Sequence, residues 1–91
     1  MSNRITQSDL GYLVDRINTV TESPAEPYDM SKEVGSRTNI NNYHLDYAYG
    51  GVKLVQMANS GGGIRVISTG GYGTKRELHQ WLQAYLVGLE N

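Results

Sequence analysis

Cysteine and phenylalanine are absent from this 91-residue chain, and there are only two prolines, two histidines and one tryptophan. Without cysteine there are no disulfide staples and no thiolate metal site, a composition that fits a reducing compartment. His44 and His79 stand far apart, so a structural zinc site is not expected, nor is any cofactor. No run is long and apolar enough to span a bilayer. The opening Met-Ser-Asn-Arg-Ile-Thr-Gln has no apolar core of signal-peptide type. A basic excess is also missing. Eight Lys and Arg against nine Asp and Glu leave a net charge of −1, which argues against a general duplex-DNA binder.

Tyrosine occurs seven times and glycine eleven times. Tyrosine joins a flat apolar body to a hydrogen-bonding tip, which suits half-buried positions and interfaces. The length allows a single domain over residues 1–91. A domain of this size buries only about 60–65% of its unfolded surface, so pairing into a homo-oligomer is expected to add core.

Leu10, Leu13, Val14 and Ile17 recur at i, i+3, i+4, i+7, the stripe of an amphipathic helix from Thr6 to about Thr19. Thr6 is the expected N-cap, with Asp9 three residues on and Ile5 and Leu10 at hydrophobic-staple spacing. From Thr21 to Asn42 periodicity is lost. This long irregular loop reads either as mobile surface or as a flap carrying Tyr28, Met30, Lys32 and Arg37 over a ligand or partner.

Three strand-like runs follow. Tyr43–Tyr49 and Val52–Ala58 flank Gly50-Gly51, and paired glycines supply the positive φ of a two-residue hairpin. Pairing Tyr49 with Val52 puts Tyr43, Leu45, Tyr47, Tyr49, Val52 and Leu54 on one face. His44, Asp46, Ala48, Lys53, Val55 and Met57 fall on the other. Asn59-Ser-Gly-Gly-Gly63 is the next turn, and Ile64–Ser68 the third strand. A last helix runs from Thr74 to about Leu89, with Leu78, Trp81, Leu82, Tyr85, Leu86 and Leu89 as its stripe and Trp81 expected as a core anchor. The expected fold class is α+β, in the order α-β-β-β-α. It is a three-stranded antiparallel meander with both helices on its tyrosine and leucine face.

Three places carry candidate chemistry. The first is Gly70, Gly71, Tyr72, Gly73, Thr74, Lys75 and Arg76, a glycine-rich loop running into a helix. Thr74 and Glu77 make a capping box there, and two cations sit where the helix dipole disfavours them. Phosphate binding through free N–H groups is one reading; an ordinary capped turn is the other. The order also lacks the spacing of a Walker loop. The second place is the sheet face with Lys53, Val55, Met57, Arg65 and Ile67, read as an exposed apolar patch that pairs with another subunit or partner. The third is His44 with Asp46, read as a general base and its orienting carboxylate. No nucleophile, metal or oxyanion donors complete that set, so a solvated polar face is the expected reading and catalysis is not expected.

Two resemblances can be stated. The order α-β-β-β-α, with Gly71-Tyr-Gly73-Thr-Lys75-Arg76 at the start of the last helix, is similar to the double-stranded-RNA-binding domain. That resemblance implies Lys75 and Arg76 on backbone phosphates. The chain departs from that family in its bare first hairpin turn, its alanine-poor last helix and its net charge. A second set of motifs covers roughly the second half of the chain: Asn42-Tyr-His-Leu45, Ala48-Tyr-Gly-Gly-Val52, Gln56-Met-Ala-Asn59, Gly61-Gly-Gly63 and Lys75-Arg-Glu-Leu78. These resemble small tailed-bacteriophage proteins for which no active site is known. The resemblance implies a host-takeover or anti-defence factor in the bacterial cytoplasm. It would inhibit or sequester a host protein, or bind a nucleotide signal, another nucleotide or RNA.

Overall fold

The structure is a computed structural model, and it describes residues 4–29, 38–68 and 71–91. Its elements follow the order α-β-β-β-α: α1 Gln7–Val20, β1 Tyr43–Ala48, β2 Gly51–Met57, β3 Ile64–Val66 and α2 Lys75–Glu90. The sheet is an antiparallel meander with β2 in the centre. Each helix begins with the capping box that its sequence spells. Thr6 Oγ accepts from the Asp9 N–H while Asp9 accepts from the Thr6 N–H, and Thr74 and Glu77 repeat the arrangement.

Leu10, Val14 and Ile17 of α1 and Leu78, Leu82 and Leu86 of α2 meet Tyr43, Val52 and Leu54 of the sheet in one buried cluster. Both helices therefore cover the same face. They also run in the same direction. Gln7 at the start of α1 and Lys75 at the start of α2 line one cleft, and Arg16 is ion-paired with Glu90 at the far end, 2.8 Å away. Trp81 lies at the rim of this core, half-buried and stacked on Tyr85 with ring centroids 4.8 Å apart. Leu82, fully buried, takes the anchor position expected of Trp81.

The first hairpin turns one residue earlier than its glycine pair suggests. Ala48 pairs with Gly51, Tyr47 with Val52 and Leu45 with Leu54. Tyr49 and Gly50 are then the turn residues, with φ of +53° and +74°, the sign that both centres of a type I′ turn require. Moving the turn by one residue shifts the pairing by two, so each side chain keeps its face. Gly51 serves another purpose. A Cβ there would lie 2.9 Å from the Gly73 carbonyl oxygen and 3.1 Å from the Tyr72 carbonyl carbon. Its bareness lets the glycine-rich loop close on β2, where Val52 and Gly73 exchange two backbone hydrogen bonds.

β3 is shorter than expected because of a β-bulge. The N–H groups of Ile67 and Ser68 both donate to the Leu54 carbonyl, and the Ser68 hydroxyl takes the Leu54 N–H at 3.0 Å. The second turn also sets a register that the glycine run left open. Val55 faces Val66 and Met57 faces Ile64, so Ile64 and Val66 share the outer face with Val55 and Met57. Arg65 and Ile67 belong to the helix side, where Ile67 packs against the core.

The described flanks of the loop over residues 21–42 are tied down. Tyr28 bridges Thr38, the Asn39 N–H donates to the Pro27 carbonyl, and buried Asn42 donates its amide to the Pro24 carbonyl at 2.7 Å. Asn41, at φ +80°, is the third residue of a turn closed by the Asn42 N–H on the Asn39 carbonyl, where positive φ is called for. Met30, Lys32 and Arg37, proposed for a flap, lie outside the described residues.

Candidate functional site

The glycine-rich loop, β1 and β2 meet on the outer face of the hairpin, opposite the helices. Asp46 and Lys53 are cross-strand partners there, and Tyr72 lies over them. Its hydroxyl donates to Asp46 Oδ2 at 2.6 Å, and the Lys53 ammonium stands 4.2 Å from its ring centroid. The hydrogen bond to the Asp46 carboxylate holds the Tyr72 proton, pushing the phenol above its ordinary range. Tyr49 meets the same ring edge-on at 5.5 Å. Tyr72 thus fastens the loop to the outer face of the hairpin, away from Trp81, which packs on the helix side.

His44 and Asp46 hydrogen-bond to different partners. His44 Nδ1 is 3.0 Å from Asn42 Oδ1, while Asp46 is engaged by Tyr72. Burial lowers the His44 pKa, partly opposed by the Asp46 charge, and so favours the neutral imidazole. Among the described residues no group of three or more His, Asp or Glu is placed to hold a metal.

The expected phosphate site divides between two clefts. One, of about 300 Å³, is bordered by Gly71, Gly73, Glu77 and Trp81. Glu77 brings a carboxylate to it, held below the ordinary glutamate range chiefly by the Thr74 N–H. The other, of about 290 Å³, lies by the hairpin turn and is bordered by Lys75, Gln7, Tyr47 and Gly50. Lys75 and Gln7 are the first residues of the two helices. Lys75 and Arg76 are exposed; Gly70 lies outside the described residues. At both helix starts an internal carboxylate already answers the dipole.

The patch built from Lys53, Val55, Met57, Arg65 and Ile67 does not form. Val55 and Met57 are 0% exposed within this one chain, and Arg65 and Ile67 lie on the helix side, for the register reason given above. The exposed apolar residues of the outer face are Ile64 and Val66 instead.

Tyr49 is the functional candidate that pattern reading passes over. It is 94% exposed, yet it occupies a turn position that favours glycine or asparagine. The alternation of Tyr43, Leu45, Tyr47 and Tyr49 disguises it as a strand residue. Its one sequence signal is that Tyr49-Gly50 competes with Gly50-Gly51 for the turn.

Compared with protein-family models, curated proteins and solved structures, the chain matches none. Among the described residues no helix is long and apolar enough to cross a membrane.

Proposed function

We propose that this domain is a non-enzymatic binding protein that works by occupying a partner's surface with the tip of its β1–β2 hairpin. The observation that carries this reading is Tyr49. A large ring is displayed at 94% exposure on backbone with φ +53°. That conformation is costly for a residue bearing a Cβ. Stability gains little from such a ring, whereas recognition gains from an aromatic held in advance. The edge contact with Tyr72, itself fixed by Asp46 and Lys53, limits where the ring points. The resemblance to small tailed-phage proteins supplies the setting: a host-takeover or anti-defence factor that inhibits or sequesters a component of the bacterial cytoplasm.

The test is capture from a bacterial lysate by wild type and by Tyr49→Gly, read by quantitative mass spectrometry. A protein retained by wild type and lost by the folded variant supports the reading. Identical captured sets, or none from wild type, would end it.

A second reading, a phosphate-bearing ligand such as a nucleotide or RNA backbone, is favoured by one observation. Lys75 and the first turns of both helices border a single cleft. Calorimetric titration with nucleotides and short RNAs, against a Lys75→Ala, Arg76→Ala variant, decides it. Heat that vanishes in the variant supports the reading, and no heat from wild type removes it.

A further inference from the structure

β1 is an edge strand, and the hydrogen bonds around it show which of its backbone groups face outward. Met57 donates to the Asn42 carbonyl across the β1–β2 ladder. The N–H and C=O of Tyr43, one residue on, point away from β2 to the Asn18 side chain, at 2.9 and 3.0 Å. Because the direction alternates along an antiparallel pair, the N–H and C=O of Leu45 and Tyr47 also point outward. On β2 the opposite residues agree: Val52 and Leu54 turn their groups toward Gly73, Ile67 and Ser68, not toward β1. None of the four outward groups of Leu45 and Tyr47 meets a partner among the described residues.

The chemistry of that edge specifies its occupant. At Tyr43 one amide group, that of Asn18, both accepts from the N–H and donates to the C=O, as a residue of an antiparallel strand does. The two open positions repeat the demand about 7 Å apart along the strand, a spacing that the backbone of an extended peptide meets. A second copy of this chain fits poorly. Pairing Leu45 with Tyr47 of another copy uses all the open groups, but it sets two Asp46 carboxylates directly opposite, which is unfavourable. Pairing Leu45 with Leu45 requires the groups of Tyr43, which Asn18 holds. Asp46 is the one carboxylate or ammonium on β1, and burial favours neutral His44. Asp46 faces Lys53 on its β2 side and accepts from Tyr72; on the outer side of β1, a complementary strand places a cation opposite it.

We propose that the open edge of β1 at Leu45 and Tyr47 binds an extended peptide segment of another protein as an added antiparallel strand, with a Lys or Arg facing Asp46. This rests on the binding reading above and names the class of partner, but it uses a surface distinct from the Tyr49 ring.

The probe is acetyl-Thr-Val-Lys-Val-Thr-amide, titrated to millimolar concentration into 15N-labelled full-length protein and followed by NMR. The expected result is a saturable downfield shift of the Leu45 and Tyr47 amides, with the Lys peptide binding about two- to fivefold tighter than its Glu counterpart. Asp46→Asn should erase that preference. N-methylation of both valines, whose N–H groups face β1, should abolish the shift, while N-methylation of the lysine should not. Absence of the shift, or undiminished binding of the valine-methylated peptide, overturns the proposal. If Tyr49-dependent capture persists in that event, the strand edge alone has failed; loss of capture with the shift intact fails the tip alone.

Discussion

Left-handed backbone costs a residue with a Cβ about 1–2 kcal/mol, and Tyr49 bears that cost at φ +53°. Its edge contact with Tyr72 offsets a similar amount, about 0.5–1.5 kcal/mol. Tyr49→Gly should therefore move the melting temperature by less than about 4 °C; a large fall would show the ring to be structural. Two residues on, Gly51→Ala should cost about 1–3 kcal/mol, because the new Cβ meets the backbone of Tyr72 and Gly73, which cannot swing aside as a side chain can. A melt midpoint equal to wild type would refute that close approach. Asn18 is a different kind of residue-scale device. It is buried at 3% exposure and satisfies both backbone groups of Tyr43. Asn18→Ala should cost about 2–3 kcal/mol, measured by urea unfolding.

At the scale of elements, the stripe of α2 is ranked by burial rather than by side-chain size. Leu82→Ala should cost about 2–5 kcal/mol, and Trp81→Ala less, since Trp81 only rims the core. Thermal melts of the two variants check the order. The capping boxes give both helices a dependence on pH. Asp9 and Glu77 are held below the ordinary carboxylate range, chiefly by the Thr6 and Thr74 N–H groups. A depressed folded pKa contributes stability above the unfolded value, and that contribution is lost as pH falls through the folded value. The loss should begin near about pH 4. His44 acts earlier. Burial lowers its pKa, so the unfolded chain takes up the proton first, and stability should decline as pH falls through about 6.5. Urea midpoints against pH should show both declines, with His44→Gln removing the upper one and Glu77→Gln weakening the lower.

At the scale of the whole molecule, the part of the outer sheet face around Val55 and Met57 is not a spare apolar surface. Val55 and Met57 are enclosed within the one chain, beside the backbone of Asn41 and Asn42, which hydrogen-bonds to Met57. Met57→Glu should consequently unfold the protein, because a buried unpaired carboxylate is costly, and circular dichroism should show the loss. A folded variant with altered sedimentation would restore the subunit-contact reading.

The α-β-β-β-α order, the two capping boxes and the apolar stripe of each helix were legible in the sequence. Each depends on residues close together in the chain: Thr6 with Asp9, Thr74 with Glu77, and the Leu10–Ile17 and Leu78–Leu86 stripes. The faces of β1 and β2 were legible for the same reason, since the alternation from Tyr43 to Tyr47 survives a two-residue change of register. Tertiary structure decided the rest. Which pair turned the hairpin depended on Gly73 needing bare backbone at Gly51, an approach between residues far apart in sequence. Whether Val66 or Ile67 joined Val55 depended on how the glycine turn closed on the Asn59 side chain. Asn18 at the Tyr43 edge, and Tyr72 on Asp46 and Lys53, likewise join distant segments through single side chains, and no local periodicity records such contacts.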